Sequence, residues 1–153
     1  MLGHNFNIFG IIEKMDNTDR RILGILQEDA SLSLDSIGER AGLSRNACWR
    51  RIRALETAGV IRSRITLLDP DKVGLGLMVF MMVRTNEHTP DWLDRFRSAT
   101  RSIPQILSVY RMTGDLDYLI RARVSDMADY DRLYQRLTAK VALADVSASF
   151  VME

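Results

Sequence analysis

A single cysteine, Cys48, and only two histidines, His4 and His88, leave little material for redox or metal chemistry. One cysteine forms no disulfide within a chain and suits a reducing cytoplasm. Neither histidine has a cysteine or an acid at ligand spacing, so no metal site is expected. A Gly-rich phosphate loop is missing: Gly74 and Gly76 read as a linker pair. Repeats and low-complexity tracts are missing too. No nucleophile or acid–base pair stands out, so no catalytic residue is expected. The partly apolar start, MLGHNFNIFGIIEK, is too short and interrupted to span a membrane. It also lacks the basic region and small-residue cleavage site of a signal peptide. Residues 1–14 are expected to be an extension, or the product of an upstream start codon.

Net charge is nearly absent as well, at +1 over 153 residues. It is unevenly placed. From Arg40 to Arg64 there are seven arginines (40, 45, 50, 51, 53, 62, 64) and one acid, Glu56, a local balance of 7 − 1 = +6. The remainder is therefore near 1 − 6 = −5. A basic patch on an otherwise acidic chain points to a polyanionic partner at one site. A basic helix can also lie on an anionic membrane, so charge alone does not choose between them.

The pattern around the patch does choose. In residues 16–29, Ile22, Leu23 and Leu26 share a helical face with Ile25 alongside, and Asp16, Thr18 and Asp19 supply cap and first-turn groups. Ser33 caps a second helix with Leu34, Ile37 and Ala41 inward, and Gly42 ends it. Ser44 caps a third, which runs to about Ala58 before Gly59. Three short helices with a tight Gly-containing turn describe a helix-turn-helix. At about 100° per residue, Cys48, Ile52 and Leu55 fall on one side of the third helix. Asn46, Arg50, Arg53 and Thr57 fall on the other. Arg45 and Trp49 sit at the edges near its start, where Trp49 either meets DNA backbone or packs.

Arginine bonds guanine edges in pairs, asparagine does the same for adenine, and both hold phosphates. The start of a recognition helix is the part that reaches base edges. Ser44, Arg45, Asn46, Trp49, Arg50 and Arg53 are thus the candidate DNA contacts. Cys48, facing inward, is read as an inert buried thiol. Residues 60–68, VIRSRITLL, read as a strand pair or wing whose Arg62 and Arg64 reach neighbouring phosphates. The first domain spans 15–66, and a linker follows over 67–76, where LDPDKVGLG (68–76) breaks regular structure.

From residue 77 the grammar changes. LMVFMMVR (77–84) reads as a strand and PDWLDRFRSATRSI (90–103) as a helix with Trp92, Leu93, Phe96 and Ile103 inward. QILSVYRM (105–112) and DYLIRARV (117–124) are strands joined by TGDL. DMADYDRLYQRLTAKVA (126–142) is a helix packing through Met127, Tyr130, Leu133, Tyr134, Leu137 and Val141, and DVSASFVM (145–152) a last strand. The order βαββαβ over 77–153 is the ferredoxin-like unit, so the fold class is α+β. Both helices of such a unit cover one sheet face. The first strand is apolar on both: Leu77, Val79, Met81 and Val83 on one, Met78, Phe80 and Met82 on the other. A second copy is the simplest cover for the other face, so a homodimer is expected. A dimer also presents two reading helices to half-sites.

LSRNACWRRIRALETAGVI and YRMTGDLDYLIRARVSDMADYDRL together resemble the Lrp/AsnC family of leucine- and asparagine-responsive regulators, from Met15 onward. The resemblance implies a winged helix-turn-helix, a ligand-sensing domain and an amino acid effector held between subunits. It also implies dimers that often assemble into octameric rings, and a cytoplasmic, nucleoid-associated place on promoter DNA. Its effector site centres on Gly114 and Asp115. A glycine turn frees backbone N–H groups for a carboxylate, and an aspartate meets an ammonium. Tyr110, Met112, Thr113, Asp117 and Tyr118 lie near enough in sequence to line the same pocket. From the bare residues, a simple Thr-Gly-Asp hairpin turn is favoured there; the resemblance reverses the preference. Members of the family usually continue for several residues where this chain stops at Glu153, so the dimer is expected more firmly than the octamer. The competing readings are an enzyme on the ferredoxin-like domain and an architectural DNA-binding protein of weak sequence preference and no effector response.

Overall fold

The computed structural model describes residues 15–152; the expected extension at 1–14 lies outside them. The chain divides into two compact units, one ending at Thr66 and the other beginning at Leu67.

The first unit holds α1 (Asn17–Glu28), α2 (Leu34–Ala41) and α3 (Arg45–Thr57). Each has a side-chain N-cap. Asp16 forms a reciprocal capping box with Asp19, Ser33 accepts from Ser36 N–H, and Ser44 accepts from Ala47 N–H. Gly42, at φ 71°, ends α2 in the left-handed region that lets the chain turn sharply into α3. The core gathers Ile22, Ile25, Ile37, Ala41, Cys48 and Ile52. Ile25 is more buried than Leu23, which the periodicity favours.

The expected wing is not formed. Residues 62–69 contain no strand, and Ile65, Leu67 and Leu68 are 74%, 86% and 69% exposed. A strand pair needs a second extended segment, and among the described residues none pairs with this one. The chain instead turns at Pro70–Gly74, where Asp69 accepts from the Asp71 and Lys72 N–H groups.

The second unit is β1 (Leu77–Arg84), α4 (Pro90–Arg101), β2 (Ile106–Arg111), β3 (Tyr118–Val124), α5 (Met127–Thr138) and β4 (Asp145–Phe150). The antiparallel sheet runs β2-β3-β1-β4. Val79, Met81 and Val83 point to the face covered by α4 and α5, with Trp92, Phe96, Leu133 and Leu137 above them. Met78, Phe80 and Met82 alternate onto the other face and are half-buried. Two expected packing residues of α5, Met127 and Tyr134, are exposed, because only Leu133 and Leu137 of its face point squarely at the sheet. Asp129 is kept ionised: burial opposes its charge, but bonds from Ser125 N–H, Gln105 and Arg132 outweigh that and hold its carboxyl below the usual range.

Candidate DNA-reading helix and effector turn

Helix α3 presents its polar side as the spacing predicts. Cys48, Ile52 and Leu55 are buried, while Asn46, Arg50, Arg53 and Thr57 are exposed. Burial pushes the Cys48 thiol up, so it stays protonated. Trp49 is 53% exposed at the helix start, free to contact a partner. The Ser44 hydroxyl is engaged as the cap, at 3.3 Å from Ala47 N, and so orients the helix start.

The arginines divide by partner. Arg45 pairs with Asp35 at 2.8 Å, and Arg53 and Arg64 share Glu56 at 3.2 Å each. Such exposed pairs contribute little, about 0–1 kcal/mol, and yield readily to phosphate. Arg50 and Arg62 have no ion pair among the described residues. Arg51 differs. It donates to Asp16 and Asp19, both at 2.8 Å, and ties α3 to the start of α1. Its charge is structural, so the local excess of +6 overstates what faces a partner.

Arg51 also makes the unit acid-sensitive. The backbone N–H of Asp19, then Arg51, hold the Asp16 carboxyl below its ordinary value of 3.8. A depressed carboxyl stabilises the fold above its unfolded value and loses that contribution as pH falls. The first unit should therefore lose stability below about pH 4. Arg51→Ala is expected to lower its melting temperature at pH 7 by on the order of 5–10 °C and to shallow, without abolishing, the acid limb. Circular dichroism melts between pH 3 and 7 check this; an unchanged acid limb would count against the pairing.

The candidate effector turn joins β2 to β3. Met112 N donates to Asp117 O at 2.8 Å, and Gly114 has φ 97°, a region costly for any side chain. Arg84 Nε donates to the Asp115 carbonyl at 2.9 Å, which fixes the tip from the end of β1. Met112, Thr113, Gly114 and Asp115 are exposed, and the Asp115 carboxylate has no ion pair among the described residues. The other candidates lie elsewhere. Asp117 accepts from Thr85 N at 2.8 Å and lies 3.9 Å from His88, so it braces the turn. Tyr118 is buried on the helix-covered face, its ring 4.6 Å from that of Phe96. Tyr110 alternates onto the open face, opposite Leu119, with its hydroxyl on Ser108. The candidates are thus spread over the turn tip and both sheet faces rather than gathered around one point.

Residues 15–56 match the AsnC-type helix-turn-helix domain, and residues 78–153 match the Lrp/AsnC ligand binding domain. The chain belongs to the Lrp/AsnC family. It is 50% identical over 143 residues to the glutamate uptake regulatory protein of Zymomonas mobilis, covering 94% of this chain and 87% of that one. It is 41% identical over 140 residues to the DNA-binding transcriptional activator DecR of Escherichia coli, covering 91% and 92%. An AsnC family regulator from Agrobacterium tumefaciens superposes with a TM-score of 0.86 at 47% identity, over 91% of both chains. A transcriptional regulator from Neisseria meningitidis, in complex with L-Met, gives 0.87 at 35% identity over 92% and 91%.

As a member of this family the chain is a DNA-binding transcriptional regulator with a ligand-sensing domain. Sequence reasoning passed over the supports of both candidate sites. Gly38 lets the Leu43 carbonyl approach where a side chain would stand, and Leu43 N donates to Gly38 O at 2.8 Å. An isolated glycine inside a helical pattern is the signal that marks it. Arg84 and Thr85 brace the turn from about thirty residues away, and no local pattern announces them.

Proposed function

We propose that this regulator binds operator DNA as a homodimer through paired α3 helices, and that an amino acid bound at the Thr113–Asp115 tip adjusts that binding. The observation that carries the reading is the tip itself. Its backbone is fixed by Arg84, its glycine frees N–H groups for a carboxylate, and Asp115 stands exposed to receive an ammonium. The missing walls then come from another subunit. The open sheet face, with Met78, Phe80, Met82 and Leu119, supports dimerisation, and the exposed Ile65, Leu67 and Leu68 add apolar surface in need of cover. Further assembly, to an octamer, would bring tips and neighbours together. On DNA, Asn46, Arg50 and Arg53 read base edges, Arg45 and Trp49 flank them, and Arg62 and Arg64 hold phosphates. The protein works on the nucleoid in the cytoplasm. Effector binding shifts the equilibrium between subunit arrangements and so the spacing of the two helices.

Arg50→Ala is expected to weaken operator binding about tenfold, the scale of one lost base or phosphate contact. A gel-shift titration at fixed salt checks it, and undiminished affinity would remove Arg50 from the interface. Asp115→Ala is expected to bind operator normally and lose its effector response. A thermal-shift screen against millimolar amino acids finds the effector, since a ligand of the folded state must raise the melting temperature. A flat screen on protein that still binds DNA would replace this reading with the architectural one.

A further inference from the structure

The second unit has an opening that its own helices leave. Strand β2 lies at the sheet edge, and α4 roofs it incompletely: Val109 is 37% exposed and Leu107 50%. Between α4 and β2 runs a groove of about 410 Å³. That volume lies within the range of small-molecule sites, about 300–1,000 Å³.

The lining has two chemistries. Leu93, Phe96, Ile106, Val109 and Tyr118 make an apolar wall. Its aromatic side is rigid, because Phe96 stacks on Trp92 at 5.0 Å and packs tilted against Tyr118 at 4.6 Å. Arg97, Arg101 and Arg111 also line the groove, so three cationic side chains border it. Asp94 takes up part of Arg97, at 3.6 Å, while Arg101 and Arg111 have no ion pair among the described residues. Among the described residues no carboxylate lines the groove. Two of its three hydroxyls are already engaged, Thr100 donating to Phe96 O at 2.9 Å and Ser108 meeting the Tyr110 hydroxyl at 3.3 Å, while the Tyr118 hydroxyl has no hydrogen bond among the described residues and offers a neutral donor.

This combination discriminates. An apolar anion finds a hydrophobic wall and a fork of charge-assisted donors. An amino acid brings the same carboxylate, but also an ammonium that meets three like charges and no acid. The tip carries Asp115 for that ammonium; the groove carries no counterpart. We infer that the α4–β2 groove is a second ligand site, selective for apolar monocarboxylates that lack an amine, the 2-oxo acids among them. The inference goes beyond the amino acid reading of the tip and does not rest on it.

The test is calorimetric titration of the full chain with 4-methylpentanoate and 4-methyl-2-oxopentanoate, with L-leucine as the matched amine. Both carboxylates should bind at millimolar concentration or tighter, with heat that vanishes in Val109→Trp, where the indole fills the groove. Arg111→Ala should weaken them about tenfold or more, the scale of a lost charged hydrogen bond. Arg101→Gln, at the exposed end of α4, should weaken them in the same direction and serves if Val109→Trp fails to fold. Melting curves without ligand establish the fold of each variant. The inference is overturned by no binding of either carboxylate, or by affinity unchanged in folded Val109→Trp and Arg101→Gln. It is equally overturned if leucine binds as tightly as its deaminated counterpart and is lost with the same variants. A groove filled by a neighbouring copy would show no binding, together with a fall in assembly mass in Val109→Trp.

Discussion

Trp92→Ala should unfold the second unit at ordinary temperature while the first unit stays folded. Trp92 is 1% exposed, stacks on Phe96 and lies 5.8 Å from the Tyr118 ring. Its Nε1–H donates to the Ala142 carbonyl at 2.8 Å, tying α4 to the segment after α5. Removing a buried tryptophan costs about 3–5 kcal/mol, and the lost hydrogen bond adds about 0.5–1.5. A unit of this size has a total stability of the same order. The chain has two tryptophans, so the variant leaves Trp49 as sole reporter, on the reading helix. Calorimetry should show the transition of the second unit gone and that of the first retained. Trp92→Phe keeps a ring and loses the hydrogen bond, so it should fall between. A Trp92→Ala protein that melts like the wild type would refute this account of the core.

Two glycines within helices should respond to alanine with opposite signs. A Cβ at Gly24, in α1, would meet nothing within 4 Å. Gly24→Ala therefore gains helix propensity and should stabilise the first unit by about 0.5–1 kcal/mol. A Cβ at Gly38, in α2, would lie 2.8 Å from the Leu43 carbonyl oxygen. That oxygen is backbone, in the turn that sets α3, and it has no flexible end to swing away. The same propensity gain is available at Gly38, but the forced displacement costs about 1–3 kcal/mol and should outweigh it. Gly38→Ala should also weaken operator binding several-fold without touching DNA, because the turn positions Asn46 and Arg50. Paired melts and gel shifts of the two variants decide it. Two stabilised proteins with normal DNA affinity would mean the turn gives way freely.

The helix-turn-helix was legible because its signals are local. Caps at Asp16, Ser33 and Ser44 and the glycine at position 42 sit within a few residues of what they control. The βαββαβ order was legible for a similar reason: an unbroken apolar run along β1 and a repeating apolar face on α4. The wing failed because strand propensity in VIRSRITLL says nothing of a partner. The site candidates around the turn were chosen by nearness in sequence, and strand alternation then sends Tyr110 and Tyr118 to opposite faces. Asp117 and Arg51 look like surface charges until their partners arrive from 32 residues away. Long-range pairings of this kind leave no periodic trace.

The two cores share no residue: one is built wholly from Ile22 to Ile61, the other wholly from Leu77 to Phe150. A change that optimises one interior is invisible to the other. Recombination in the stretch between them can exchange a reading head or a sensing body without asking either to repack. Lineages can therefore pair an inherited operator preference with a newly acquired chemical signal in a single genetic event, and the sensor and the reader can diverge at separate rates.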